Sequence, residues 1–319
     1  MADRSVLSGS LIVILAASGF GILGPLARFA YDDGFDPLSF VAWRATIGVL
    51  VIFLVVLARR SRGVAIVNPL DLPRADSVGL LVVGLAGLTL NVAMFYAFGL
   101  GSVALVLLAF YTYPAMVAVV ASALGHEQLD GARILALLLA LAGMVLVVVG
   151  GLDPTAGVTI HPLGIALGLL AAAFQTIFVT ISRTRFSTMP AEQAMSWLIL
   201  ISAVACILLT LATGGNLGAP FGNPRAFGIA AIAGIVGAGI PSTLFLVGIR
   251  TIGGTRAGIL MLFEPLVGVT LAALLLHETL VPLQVAGGAA ILAAALLLQR
   301  SAPPGERIEP LGVPSIEHP

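Results

Sequence analysis

The sequence predicts an all-α integral membrane protein of ten transmembrane helices, built as two inverted five-helix repeats. Three observations predict it: a shortage of charge, a series of long apolar runs, and an internal repeat. Of 319 residues, 59% are apolar and 9% charged. A soluble domain carries about 25% charged residues, so this chain cannot cover a water-facing surface and lipid is its solvent. One crossing of a hydrocarbon core takes roughly 20 apolar residues. Such runs recur along the whole chain. They are continuous and too long for the alternating segments of a membrane β-barrel, and an open strand edge is not satisfied in lipid. They therefore read as helices.

Taken in order, the first run covers 8–29. The start, Met1 to Ser10, has a single Arg4 and is followed by no A-x-A cleavage pattern, so it reads as a retained span. The second run, 37–58, stops at Arg59 and Arg60. The third, 77–98, begins after Arg74, and the fourth, 102–124, closes on His126-Glu127. The fifth, 131–151, opens with Arg133, and the sixth, 162–182, runs into Arg183 and Arg185. The seventh, 190–212, holds the sole cysteine, Cys206, so a disulfide framework is excluded. The eighth, 226–249, lies between Arg225 and Arg250; the ninth, 256–276, starts at Arg256; the tenth, 281–299, ends at Arg300. The tail, 301–319, is polar with five prolines and is expected to be disordered.

The connections sort by charge. Arg4, Arg59, Arg60, Arg62, Arg74, Arg133, Arg183, Arg185, Arg250, Arg256, Arg300 and Arg307 all fall on one side of such a bundle. Arg28 and Arg225 fall on the other, and Arg44 lies inside the second span. The positive-inside rule then puts both termini in the cytoplasm. A formal net charge of zero argues against a nucleic-acid partner.

The repeat is a self-match at one offset. Tyr113-Pro114 through His126-Glu127-Gln128-Leu129 recurs, 151 positions on, as Glu264-Pro265 through His277-Glu278-Thr279-Leu280. Upstream, Gly84-Leu85-Ala86-Gly87 matches Gly234-Ile235-Val236-Gly237 with one residue of slip. The halves are expected at 8–151 and 162–300. Each holds an odd number of spans, so the second enters the membrane from the opposite side. Inverted repeats of this kind are a ground plan of secondary transporters.

These residues carry a resemblance. Ser18-Gly19 in the first span, Arg44 inside the second and the repeated Pro-x(12)-Glu-x-Leu are similar to the two repeats of the drug/metabolite transporter superfamily, in its EamA-type ten-helix branch. Many members have Trp before the first-span glycine, where this chain has Ser18. The resemblance implies a carrier of the bacterial cytoplasmic membrane, often an exporter of amino acids or related metabolites, with no ATPase domain.

Several residues could carry the mechanism. Glu264 lies about 14 Å inside the ninth span, at 1.5 Å per residue. An ionisable group at that depth is costly and is a functional candidate by default. It could take up a proton or pair with a substrate ammonium; the structural reading is a Glu tied to a neighbouring helix or to Arg44. Arg44 cannot shed its charge and needs an anionic or carbonyl partner, either a substrate carboxylate or a fixed structural group. Pro114 and Pro265 each remove a backbone donor and free a carbonyl four residues back, at Phe110 and Met261. Those oxygens need a partner or a watery cavity. Pro25 and Pro241 are expected to interrupt the first and eighth spans in the same way. On an unbroken helix Phe110 and Tyr113 share a face and Tyr111 points elsewhere, so Phe110 and Tyr113 are the cavity candidates. Tyr111 and Tyr96 read as packing or interfacial anchors. Asn91 and Gln175 are further buried polar groups, either solute contacts or helix glue. Gly84, Gly87, Gly234 and Gly237 read as sites of close helix packing. Glu127 and Glu278, at span ends where solvation is cheap, read as capping or interface groups.

His126-Glu127 lacks a second His at metalloprotease spacing, so no metal is expected. No P-loop and no cofactor motif is present. A membrane-embedded enzyme acting on a lipid or isoprenoid is the competing class, but it needs clustered acids, histidines or a nucleophile near one interface. The sequence therefore points away from an enzyme and towards a secondary transporter. It would move an amino acid or related amphipathic solute, in the export direction, by alternating access with proton coupling at Glu264. The expected partners are the solute and the bilayer, with the chain acting as monomer or homodimer.

Overall fold

The protein's structure, a computed structural model, describes residues 2–100, 103–152, 161–275 and 280–300. The tail at 301–319 and the second copy of the His-Glu motif, His277-Glu278, lie outside the described residues. Ten helices are long and apolar enough to cross a membrane: Val6–Asp32, Pro37–Arg60, Arg74–Met94, Ala104–Ala123, Gly131–Gly150, Pro162–Thr184, Ala191–Ala212, Pro224–Ile252, Gly254–Leu275 and Pro282–Gln299. They are spans one to ten below. Among the described residues there is no strand.

Local chemistry sets the helix starts. Span two begins on a reciprocal cap: Asp36 accepts from the Ser39 N–H at 3.0 Å, and the Ser39 hydroxyl accepts from the Asp36 N–H at 3.1 Å. Pro37 then takes the first helical position, where no donor is needed. Span eight starts the same way, with Asn223 capping Arg225 and Ala226 and Pro224 following it. Asp130 caps span five through the Arg133 N–H at 2.7 Å. The outer faces are apolar, with Leu15, Leu54, Leu138, Leu208, Leu274 and Leu296 all exposed. In water that surface would be an aggregation liability; against lipid chains it costs nothing.

With lipid as the solvent, helices associate by close packing and small residues. A Cβ on Gly143 of span five would stand 2.6 Å from the Gly287 carbonyl oxygen of span ten. Gly84 and Gly234 of the repeat do the same work in matched places, whereas a Cβ on Gly87, also expected at a close approach, would meet nothing among the described residues nearer than Ser202 at 3.7 Å. A Cβ on Gly84 of span three would stand 2.5 Å from Ile201 of span seven; one on Gly234 of span eight would stand 2.6 Å from Ile47 of span two. The pattern extends to whole helices. Span one packs on eight and six on three; two on eight and seven on three; one on nine and six on four. The remaining extensive pairs, two with seven, four with nine and five with ten, each join a helix to its own repeat partner. Adding five to both members of any such pair gives another pair, as a two-fold relation between the halves requires.

Three spans break where proline removes a donor. Helical segments end at Gly21, Phe110 and Met261, each four residues before Pro25, Pro114 and Pro265. Span eight differs from expectation. Pro241 does not interrupt it; a π-helical turn, Ile235–Gly239, runs up to the proline, with the Ile240 N–H reaching back to the Ile235 carbonyl. The wider turn absorbs the missing hydrogen bond without breaking the helix, as π-bulges do.

Spans two and seven are clasped at both ends. At one end Asp36 accepts from the Asn216 N–H at 2.7 Å, and Trp43 donates to the Leu217 carbonyl at 3.0 Å. Burial would raise the Asp36 carboxyl, but the hydrogen bonds from Ser39 and Asn216 outweigh it and hold this group below its ordinary value. At the other end Arg59 pairs with Glu192 at 2.5 Å, and the Gln193 amide both accepts from and donates to the backbone of Val67.

Candidate functional site

The interrupted helices meet. A Cβ on Gly21, at the break in span one, would stand 2.9 Å from the Glu264 carbonyl oxygen in span nine. A Cβ on Gly258 of span nine would stand 3.5 Å from Pro114 of span four, and one on Gly19 would stand 2.6 Å from the Val236 carbonyl in the π turn. The second residue after the break in span nine is Glu264. Its half-buried side chain therefore sits where three breaks and a π turn come together.

Around Glu264 the structure gathers Tyr111, Tyr113, Phe110 and Arg44. The Tyr111 hydroxyl, Tyr113 and Arg44 lie within electrostatic reach of the carboxylate. The Phe110 ring lies 5.3 Å from both the Tyr111 and the Tyr113 rings. Arg44 forms no ion pair with Glu264. Its Nη2 instead donates to Asn91 Oδ1 at 2.8 Å, and the Asn91 amide donates on to the Gly87 carbonyl at 2.7 Å. Tyr31 and Cys206 are its other electrostatic neighbours. A guanidinium and a carboxyl group thus share one region without pairing, the guanidinium held by Asn91.

Two sequence assignments change. Tyr111 is not a peripheral anchor: it is 3% exposed and is the phenol that meets Glu264. The face argument assumed an unbroken helix, whereas span four breaks across Tyr111 and Thr112, and the helical phase is lost there. Pro114, three residues on, was the signal. Glu127 keeps the capping and interface role read for it, but it is not solvated: it is 8% exposed, paired with Arg183 of span six, and accepts from the Gly254 N–H at the start of span nine at 2.8 Å. Tyr113 is 1% exposed and shut between Phe110 and Gly258. Gln175, half-buried on span six, is joined to the cluster by no hydrogen bond among the described residues. Tyr96 is exposed.

A groove of about 710 Å³ lies elsewhere, among Val78, Val82, Leu124, Ile181 and Arg185. It shares no residue with the cluster, and Leu124 is about 16 Å along span four from Tyr113 by helical rise. Charge and interrupted backbone, not volume, mark the candidate site. Among the described residues no group of three His, Cys, Asp or Glu gathers.

Comparison with known proteins agrees with this architecture. The model of the EamA-like transporter family matches residues 7–149 and again 162–300. No curated protein matches the chain. One solved crystal structure superimposes with a TM-score of 0.74 at 23% identity, over 92% of this chain and 99% of its own, a likeness of fold. With ten spans, two matched repeats and a shared fold, the chain belongs to the EamA-like transporter family, within the drug/metabolite transporter superfamily, and is a multi-pass membrane carrier of small solutes.

Proposed function

We propose that the chain exports an amino acid or related amphipathic solute across the bacterial cytoplasmic membrane, by alternating access around Glu264. One observation carries this reading: Arg44 and Glu264 share a site at the meeting of interrupted helices and are not paired with each other. A zwitterion supplies what both groups lack. Its carboxylate suits the guanidinium, which stays charged and forks onto planar anions. Its ammonium suits the Glu264 carboxylate, and an apolar side chain suits the rings of Phe110 and Tyr111.

Proton coupling follows from the same carboxylate. An ammonium and a proton compete for Glu264, so loading one displaces the other, and exchange between the two sides couples their gradients. The arginine asymmetry supports an orientation with both termini in the cytoplasm. The near-equivalent halves supply the motion, since exchanging their conformations opens the shared site to each side in turn.

The test is flux of an amino-acid panel in proteoliposomes, with and without a pH gradient. Native protein is expected to move at least one member faster under the gradient. Glu264→Gln is expected to abolish the gradient's effect. Full gradient-driven flux in Glu264→Gln would sink the coupling role, and no flux of any panel member would sink the substrate reading.

A further inference from the structure

All eight residues of the first segment of span nine, Gly254–Met261, are buried, and this segment packs on Tyr113–Ala123 of span four. Beyond the break, Phe263 through Val269 are only half-buried. The stretch of span nine between Glu264 and the arginine-rich face is therefore packed shut, and the stretch beyond the break is less tightly covered. One contact group stands at the closed end. The Glu127 carboxylate, just past the end of span four, accepts from the Gly254 N–H at 2.8 Å and from the Thr255 N–H at 3.3 Å and 3.4 Å. It also pairs with Arg183, at the end of span six.

The backbone is shaped for this contact. Gly253, with φ at +85°, leads into span nine, and a Cβ there would stand 2.6 Å from Glu127 Oε1. The carboxylate thus lies on the positive end of span nine, where unpaired N–H groups need an acceptor, and it is held there by a cation from the other repeat. Spans two and seven are clasped at both ends, so they are poor candidates for parting. Spans four and nine meet through this group at the arginine-rich face.

We propose that Glu127, with Arg183, is the latch that keeps the arginine-rich face closed, and that it must release for the Glu264 site to open to that side. Opening there separates spans four and nine, which strips Glu127 from the Gly254 and Thr255 N–H groups. The closed state is thus stabilised by one buried carboxylate with three partners. The proposal rests on the alternating-access reading. Its test needs no substrate, so its failure and the failure of that reading are told apart.

The measurement is thiol labelling from the arginine-rich side. Ile259, 2% exposed in the closed segment, is replaced by Cys. Native Cys206, 1% exposed in span seven, is retained as an internal control, and mass spectrometry separates the two sites. Glu127→Gln keeps the shape and removes the charge; Arg183→Gln removes the cation. Each is expected to speed labelling at position 259 about tenfold, with Cys206 unchanged. Labelling at 259 unchanged in both variants overturns the latch. So does equal acceleration at both thiols, because Glu127 would then support the fold as a whole and not one gate.

Discussion

Tyr111 and Glu264 form the pair on which the site turns. A carboxylate inside a bilayer must find donors within the protein, and the Tyr111 phenol, on the broken turn of span four, is the donor within its electrostatic reach. A hydrogen bond to a charged group is worth about 1.5 kcal/mol or more, roughly tenfold in a rate or affinity. Tyr111→Phe keeps the ring and removes the donor, so flux is expected to fall about tenfold while the unfolding temperature in detergent stays near native. Flux within twofold of native would reduce Tyr111 to a packing residue. Glu264 and Arg44 are legible in the sequence because ionisable groups stand out in apolar runs. Tyr111 is not, because its direction depends on where the helix breaks, and periodicity carries no information across a break. The capping role of Glu127 is legible but its burial is not, for a related reason: the cation and the amides that bury it come from spans six and nine, far along the chain.

At the scale of the element, proline and glycine decide geometry. Proline positions mark the breaks in spans one, four and nine, since each lost donor frees a named carbonyl. The π turn before Pro241 answers the same loss differently, and nothing in the local sequence distinguishes the two outcomes. Glycine positions are legible as close approaches, but the partner helix is not, because a missing side chain says only that something fits. The structure supplies the partners, and they give a paired prediction. Gly143→Ala places a methyl group against the Gly287 carbonyl, where backbone must shift; overpacking of this kind costs about 1–3 kcal/mol. Gly228→Ala adds the same methyl in span eight with nothing within 4 Å, so only the gain in helix propensity, up to about 1 kcal/mol, remains. Thermal unfolding in one detergent is expected to show a lowered midpoint for the first and an unchanged or raised one for the second. A tolerated Gly143→Ala would mean that spans five and ten do not meet this closely.

For the whole molecule, the extensive packings run between the repeats, so each half finishes its packing on the other. That explains why the repeat could be read from sequence through one offset, while its mechanical meaning could not. The clasped pair, spans two and seven, and the latched pair, spans four and nine, are both joins between repeat partners. They differ in the side-chain contacts at their ends and in backbone: spans two and seven are continuous, spans four and nine broken. Which face opens when the latch releases depends on orientation, and this rests on the arginine count. Two exposed loop residues separate the choices. Leu70, 89% exposed between spans two and three, lies on the arginine-rich face; Phe221, 75% exposed between spans seven and eight, lies on the opposite one. With Cys at either position in a Cys206→Ala background, a membrane-impermeant maleimide added to intact cells is expected to label position 221 and not 70. Permeabilised cells should label both. The reverse pattern would turn the bundle over: the Glu127 latch would then close the external face, and release of the solute outward, not its loading from the cytoplasm, would wait on that carboxylate.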